Sequence, residues 1–170
     1  MLVLVDEKDN VLGLMNKDDC HKKDGLLHRG FIIFILNKKG NVLIQKRSRY
    51  KKLWPLYWDA SCAGHPYKSE TYERAGERRL KEELGFSCKL NLLSTFRLRA
   101  NYKGIGSENE ICAVLFGNYD GPVVPNPHEV AEWKWVDLEK LKEMISKHPE
   151  EYTPWLKIAL PEVISRGSFH

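Results

Sequence analysis

Three histidines and two glutamates raise the first chemical question. His21 and His28 lie seven residues apart, His65 follows Gly64, and Glu108 and Glu110 alternate around Asn109. Alternating positions share one face of a β-strand. Three imidazoles with two carboxylates make an octahedral donor set for a divalent cation such as Mn²⁺, Mg²⁺ or Zn²⁺. A second carboxylate group, Glu70, Glu82 and Glu83, brackets a charged stretch that also carries Arg78 and Arg79. Adjacent glutamates on a helix sit about 100° apart and partly repel, which a bound cation relieves. On charge alone, pairing with Arg78 and Arg79 at helical spacing serves equally well. The third group is cationic: Lys38, Lys39, Lys46, Arg47, Arg49, Lys51 and Lys52 follow one another with no acid between them. A local field of that kind favours an anionic ligand.

The elements that must hold these groups are short and mixed. Residues 2–5 and 11–15 flank an Asp9-Asn10 turn and read as a hairpin; residues 31–36 and 42–45 flank a Gly-containing loop and read as two more strands. Residues 71–84 place Ala75, Leu80 and Leu84 among good helix formers, with Gly85 as the stop. Strands are expected at residues 88–98, 110–117 and 133–136, and a helix at 137–147. The order is α+β, without the regular alternation of a doubly wound sheet.

With 170 residues, 42% hydrophobic and 29% charged, the chain fits one soluble domain, expected over residues 1–165, with 166–170 set aside as an appended tail. The longest apolar run, residues 31–36, is far short of the ~20 residues of a bilayer span. The first ten residues meet acids where a secretory signal carries a positive start, so a cytoplasmic protein is expected. The net charge of +4 arises within the first 60 residues. Cys20, Cys62, Cys88 and Cys112 show no paired spacing and are expected as reduced thiols.

Residues 64–86 resemble the Nudix box, matching at Gly64, Glu70, Arg78, Leu80, Glu82, Glu83, Gly85 and Phe86. The departure is Arg79, which stands where the box has its first Glu. In Nudix hydrolases that carboxylate commonly serves catalytic magnesium. The resemblance implies a Nudix fold, a mixed β-sheet sandwiched between α-helices.

From Lys17 to Trp155 the chain is similar, more closely, to type I isopentenyl-diphosphate isomerases, a Nudix branch in which an arginine at position 79 is normal. The likeness runs through His21 and His28; Gln45-Lys46-Arg47; Lys51-Lys52-Leu53-Trp54-Pro55; Trp58 to Pro66; Phe96-Arg97; Glu108-Asn109-Glu110; Asn126-Pro127; and Thr153-Pro154-Trp155. It implies a five-ligand metal site at His21, His28, His65, Glu108 and Glu110, and a substrate-bound Mg²⁺ at Glu83. It also implies a diphosphate held by Lys17, Arg47, Lys51, Lys52 and Arg79, and Trp155 facing a carbocation. The expected ligand is a small prenyl diphosphate, not nucleic acid.

Two departures touch the chemistry. The cysteine of that family precedes its Gly-His or Ser-His pair directly; here Cys62 comes one position early and Ala63 takes its place. A one-residue displacement in an extended segment turns a side chain to the opposite face, so Cys62 is expected to point away from the substrate. The family's tyrosine maps onto Leu98, and Tyr102, next to a turn, is the nearest hydroxyl. Three readings follow. Hydrolysis of a prenyl diphosphate, with Glu70, Glu82 and Glu83 holding Mg²⁺, comes first. Isomerisation with Glu110 and a Cys62 brought round by a bulge comes second, and non-catalytic diphosphate binding third.

Overall fold

The computed structural model describes residues 1–166; residues 167–170, and with them most of the expected tail, lie outside the described residues. The centre of the fold is strand β3 (His28–Leu36), buried on both faces, which is why residues 31–36 read as one continuous apolar run. Ahead of it come the hairpin β1 (Leu2–Val5) and β2 (Val11–Met15) and the single turn α1 (Lys17–Cys20), capped by the Asn16 side chain on the Asp19 N–H. β4 (Asn41–Arg47), the short β5 (Trp58–Asp59) and β6 (Cys62–Gly64) follow, then helix α2 (Tyr72–Leu84). β7 (Asn91–Tyr102), β8 (Gly106–Asn118) and β9 (Val130–Asp137) complete the strands, and α3 (Leu138–Lys147) and α4 (Pro154–Ser165) close the chain.

Among the described residues all the strands join one mixed sheet. β3 runs parallel to β8 from His28↔Glu110 to Leu36↔Asn118 and antiparallel to β6 at Phe31↔Gly64, Ile32↔Ala63 and Ile33↔Cys62. β8 also pairs with β7, and β4 with β9. Two cores lie on opposite faces of β3. Ile32, Phe34, Cys112 and Val114 pack under α3 and α4 with Trp54, Trp155 and Leu156. Phe31, Ile33, Cys62, Ala113 and Leu115 pack under α2 with Ala75, Leu80 and Leu84. The sheet is thus sandwiched between helices.

Helix α2 starts where Thr71 accepts from the Arg74 N–H and ends at Gly85, whose φ of 74° and close approach to the Val124 carbonyl no other residue tolerates well. Several elements depart from the sequence expectation. The strand expected at 88–98 begins at Asn91 and continues to Tyr102, so Tyr102 ends a strand; the turn lies at Lys103 and Gly104, both with positive φ. Strands β5 and β6 are too short to show a period, and α4 is obscured by two prolines. Pro154 sits at the first helical position, where its missing N–H is not needed, and Pro161 is exposed, where water takes the carbonyl it leaves free.

Candidate active site

The three imidazoles and two carboxylates converge at one end of the sheet. Parallel pairing of β3 with β8 sets His28 beside Glu110, and the pleat brings Glu108 to the same face. His21 enters from the end of α1 and His65 from the residue after β6. Ring centroids of the three histidines lie 5.0 to 5.4 Å apart. His21 Nε2 is 2.9 Å from Glu108 Oε2, and His65 Nε2 is 3.0 Å from Glu110 Oε1.

His28 decides what this cluster needs. Its Nδ1 lies 2.7 Å from the Leu26 carbonyl, so Nδ1 carries the proton and donates, leaving a lone pair on Nε2. That Nε2 is buried without a hydrogen-bond partner, 3.4 Å from Glu110 Oε1 and 3.5 Å from Glu108 Oε2. An orphaned lone pair facing two carboxylates asks for a cation between them. Without a cation between them, the carboxylates favour a proton on this nitrogen, the position a metal would take. Burial pulls the His28 pKa down, but the Cys20 thiol and the two carboxylates push it up to about 12. Burial likewise raises Glu108, yet His21, His28 and His65 hold it well below the usual carboxylate range. His21, His28, His65 and Glu108 each offer a ligand atom within 4.8 Å of the others. The residues fit a divalent cation, with Glu110 beside them. Gly30 makes room for Glu110: a Cβ there would lie 2.2 Å from Glu110 Oε2. Nothing in the sequence singles out that glycine except its place in an otherwise apolar strand.

Next to the cluster, a cleft is lined by Lys17, Arg47, Lys51 and Arg79, with Ala63, Cys112, Glu129 and Trp155. The four cations crowd one another. Desolvation first, then the positive charges of Lys51, Arg47 and Arg79, hold Lys17 below its ordinary range, with Glu108 opposing. Within the cationic run of residues 38–52, only Arg47 and Lys51 line this cleft. Lys52, expected on the diphosphate, pairs with Asp18 at 2.7 Å on the surface, and Lys46 pairs with Glu132. The reason is alternation along β4 and the turn after it, which sends neighbouring side chains to opposite sides. Arg47 is fixed by the Leu53 and Trp54 carbonyls, while Glu129 draws on both Lys51 and Arg79.

Glu70, ahead of α2, and Glu82 and Glu83 on it stand differently, since each already has a cation. Arg78 Nε meets Glu70 at 2.6 Å, and Arg79 meets Glu82 and Glu83 at 2.5 Å each. Glu83 is buried and also accepts from Gln45 Nε2 and the Cys62 thiol, both at 3.0 Å. Cys62 is therefore turned onto α2, where burial and the Glu83 charge keep it a neutral thiol with its pKa pushed well up. Ala63 faces the cleft. Leu98 pairs across the strands with Glu110 and is buried, and Tyr102 packs instead against Trp54 at 5.2 Å. Cys112, on the Glu110 face of β8, is the thiol that lines the cleft.

Comparison with known proteins gives this geometry its place. Residues 26–156 match the NUDIX domain. The chain is 43% identical to isopentenyl-diphosphate Delta-isomerase 2 of Photorhabdus laumondii, over 92% of this chain and 88% of the relative. It is 39% identical to isopentenyl-diphosphate Delta-isomerase 1 of Aromatoleum aromaticum, over 96% and 92%. Among solved structures, the Deinococcus radiodurans protein DR0079 superposes with a TM-score of 0.75 at 25% identity, covering 97% of each chain. The MutT protein of Methanosarcina mazei shares the fold, with a TM-score of 0.67 at 22% identity over 85% of this chain and 96% of that one. The chain is thus an enzyme of the Nudix superfamily and belongs to its isopentenyl-diphosphate Delta-isomerase branch.

Proposed function

We propose that the protein is a divalent-metal-dependent enzyme acting on a short prenyl diphosphate, and that it cleaves the diphosphate. The observation that carries the choice of reaction is the cleft wall. Moving a double bond needs one group to protonate it and a second, across the alkene, to remove a proton. Here Glu110 faces Leu98, and Ala63 stands where a thiol would be needed. Lys17, Arg47, Lys51 and Arg79 hold the diphosphate through charged donors, and Trp155 with Ala63 receives the short alkyl end. Mg²⁺ bound with the substrate at Glu83, Glu82 and Glu70, and a second divalent ion at the histidine cluster, would polarise phosphate oxygens and offset their charge. Glu110 accepts a proton from the attacking water, whose oxygen bonds to the terminal phosphorus while the bond from that phosphorus to the bridging oxygen breaks, giving a prenyl monophosphate and phosphate.

A second reading, isomerisation, is favoured by the pairing of Glu70, Glu82 and Glu83 with Arg78 and Arg79, which leaves those carboxylates little free charge for a metal. It would require Cys62 to leave Glu83. Incubation with isopentenyl diphosphate, Mg²⁺ and Mn²⁺ in heavy water separates the two. Phosphate release seen by phosphorus NMR, without deuterium in the prenyl chain, is the expected result. Deuterium uptake with dimethylallyl diphosphate formed replaces the first reading by the second, and intact substrate overturns both.

A further inference from the structure

Glu129 sets a negative charge among the cations of the cleft. It pairs with Lys51, and Arg79 Nη2 lies 3.4 Å from its Oε2; among the described residues it meets no other cation. Burial raises its pKa, but Lys51 and Arg79 hold it below the usual carboxylate range, so it is an anion at neutral pH. Two of the four cations that line the cleft thus already have a carboxylate on them.

Lys51 and Arg79 also face Glu83, at 3.7 Å and 2.5 Å, but the two acids are held differently. Glu83 is buried and accepts from Gln45 and the Cys62 thiol as well. The Glu129 carboxylate has only the two cations, and its side chain is 25% exposed. Its backbone is fixed on both sides: the Glu129 N–H donates to the Asn126 carbonyl at 2.9 Å, and the Ser48 N–H donates to the Glu129 carbonyl at 3.0 Å. Asn126 is itself tied to the end of α2, its N–H donating to the Glu83 carbonyl at 2.8 Å. An incoming anion can therefore displace the Glu129 carboxylate by a change of side-chain rotamer, with the loop left in place.

That displacement costs the same for any anion seated on Lys51 and Arg79. It excludes an anion whose own attraction is small. A diphosphate tolerates it, because its second phosphoryl group also reaches Lys17 and Arg47.

We propose that Glu129 is a specificity-determining residue, an internal competitor that fills the Lys51 and Arg79 half of the cleft so that a single phosphate is kept out and a diphosphate is admitted. This rests on the diphosphate reading above and adds to it the means by which lesser anions are refused.

The test is calorimetric titration of the full chain with inorganic phosphate and inorganic diphosphate, the histidine cluster loaded with Mn²⁺ and excess metal removed. Glu129→Gln should bind both probes about tenfold more tightly than the parent. A merely structural role for Glu129 predicts weaker binding, the opposite sign. Glu132→Gln removes the same charge from a surface pair with Lys46 outside the cleft, and should stay within about twofold of the parent. Glu129→Asp keeps the net charge but withdraws the carboxylate from its two partners, and should tighten both probes severalfold; it tests the proposal even if the Gln variant does not fold. Unchanged or weaker binding in the Glu129 variants, or equal tightening in Glu132→Gln, overturns the proposal while leaving the diphosphate reading in place. Failure of the parent and of every variant to bind diphosphate overturns both.

Discussion

The cluster at the end of β3 and β8 and the glutamates of α2 offer a similar set of carboxylate oxygens, and the fold treats them in opposite ways. Around His28 the two carboxylates have only imidazoles as ion-pair partners among the described residues, and the buried Nε2 that faces both has no hydrogen-bond partner. On α2 and just before it, the three candidate carboxylates are already paired, Glu70 with Arg78 and Glu82 and Glu83 with Arg79. Residue type alone does not separate a metal site from a solvated helix face. What separates them is the kind of counter-charge the protein supplies: permanent guanidinium groups beside α2, and imidazoles that can give up a proton in favour of a metal at the cluster. A cation bound at the cluster fills a defined electrostatic need, whereas one bound at α2 must first displace a guanidinium. On the reading proposed above, a cation at α2 would depend on the charge a diphosphate brings, and one at the cluster would not.

The largest expected effect concerns the wall between these two regions. If the diphosphate and alkyl ends are already positioned, only proton-transfer groups are missing for isomerisation, and each is typically worth ~10²- to 10⁴-fold. Ala63→Cys with Leu98→Tyr should therefore raise conversion of isopentenyl to dimethylallyl diphosphate by orders of magnitude, read as deuterium uptake. Cys62→Ala in the native background should leave turnover unchanged, because that thiol is spent on Glu83. A robust native isomerase activity lost in Cys62→Ala would sink this account of the register.

The metal comes next. Gly30→Ala would drive a methyl group into the Glu110 carboxylate. Metal affinity measured by titration should fall by about 10- to 100-fold, the size of effect seen when ligands are disoriented. Glu82→Gln, with its carboxylate exposed and already paired, should leave substrate-free metal affinity nearly unchanged. The reverse ranking would invert the comparison between the two regions.

The smallest effect is a test of pairing on α2. Arg78 holds the Glu70 pKa below its ordinary value of 4.5, with burial opposing. Glu70 thus adds stability that is present above about pH 4.5 and is lost as pH falls through its depressed folded value. Since the pair lies at the surface and is half-buried, the contribution should be on the order of 1 kcal/mol. Urea denaturation of the parent and Glu70→Gln should differ by that amount at pH 7, and the difference should shrink steadily as pH falls below 4.5. A difference that does not shrink as pH falls below 4.5 would mean that the charge pair is not its source.

Much of the site could be read before the fold because its residues keep fixed spacings within single elements. Glu108 and Glu110 share a strand face, and residues 70–83 share a helix and its approach. The register argument at Cys62 and Ala63 depends only on strand alternation, and β6 places those two side chains on opposite faces. What stayed hidden depends on contacts between distant segments. Asp59 meets Trp155 across 96 residues of sequence, and Gly30 matters only because β8 lies beside it. The cationic run was legible as charge but not as direction. Arg47 and Lys51 reach the cleft, and Lys52 turns to Asp18. Helix α4 was masked by prolines that the fold tolerates at its first turn and on its exposed side.

The contrast between the two carboxylate regions is tested most directly by locating Mn²⁺ in crystals soaked without substrate, from anomalous diffraction at the manganese edge. The account predicts a full-occupancy peak among His21, His28, His65, Glu108 and Glu110, with no peak at Glu82 and Glu83 until a diphosphate is added. A substrate-free peak at Glu82 and Glu83 with the histidine cluster empty would contradict it.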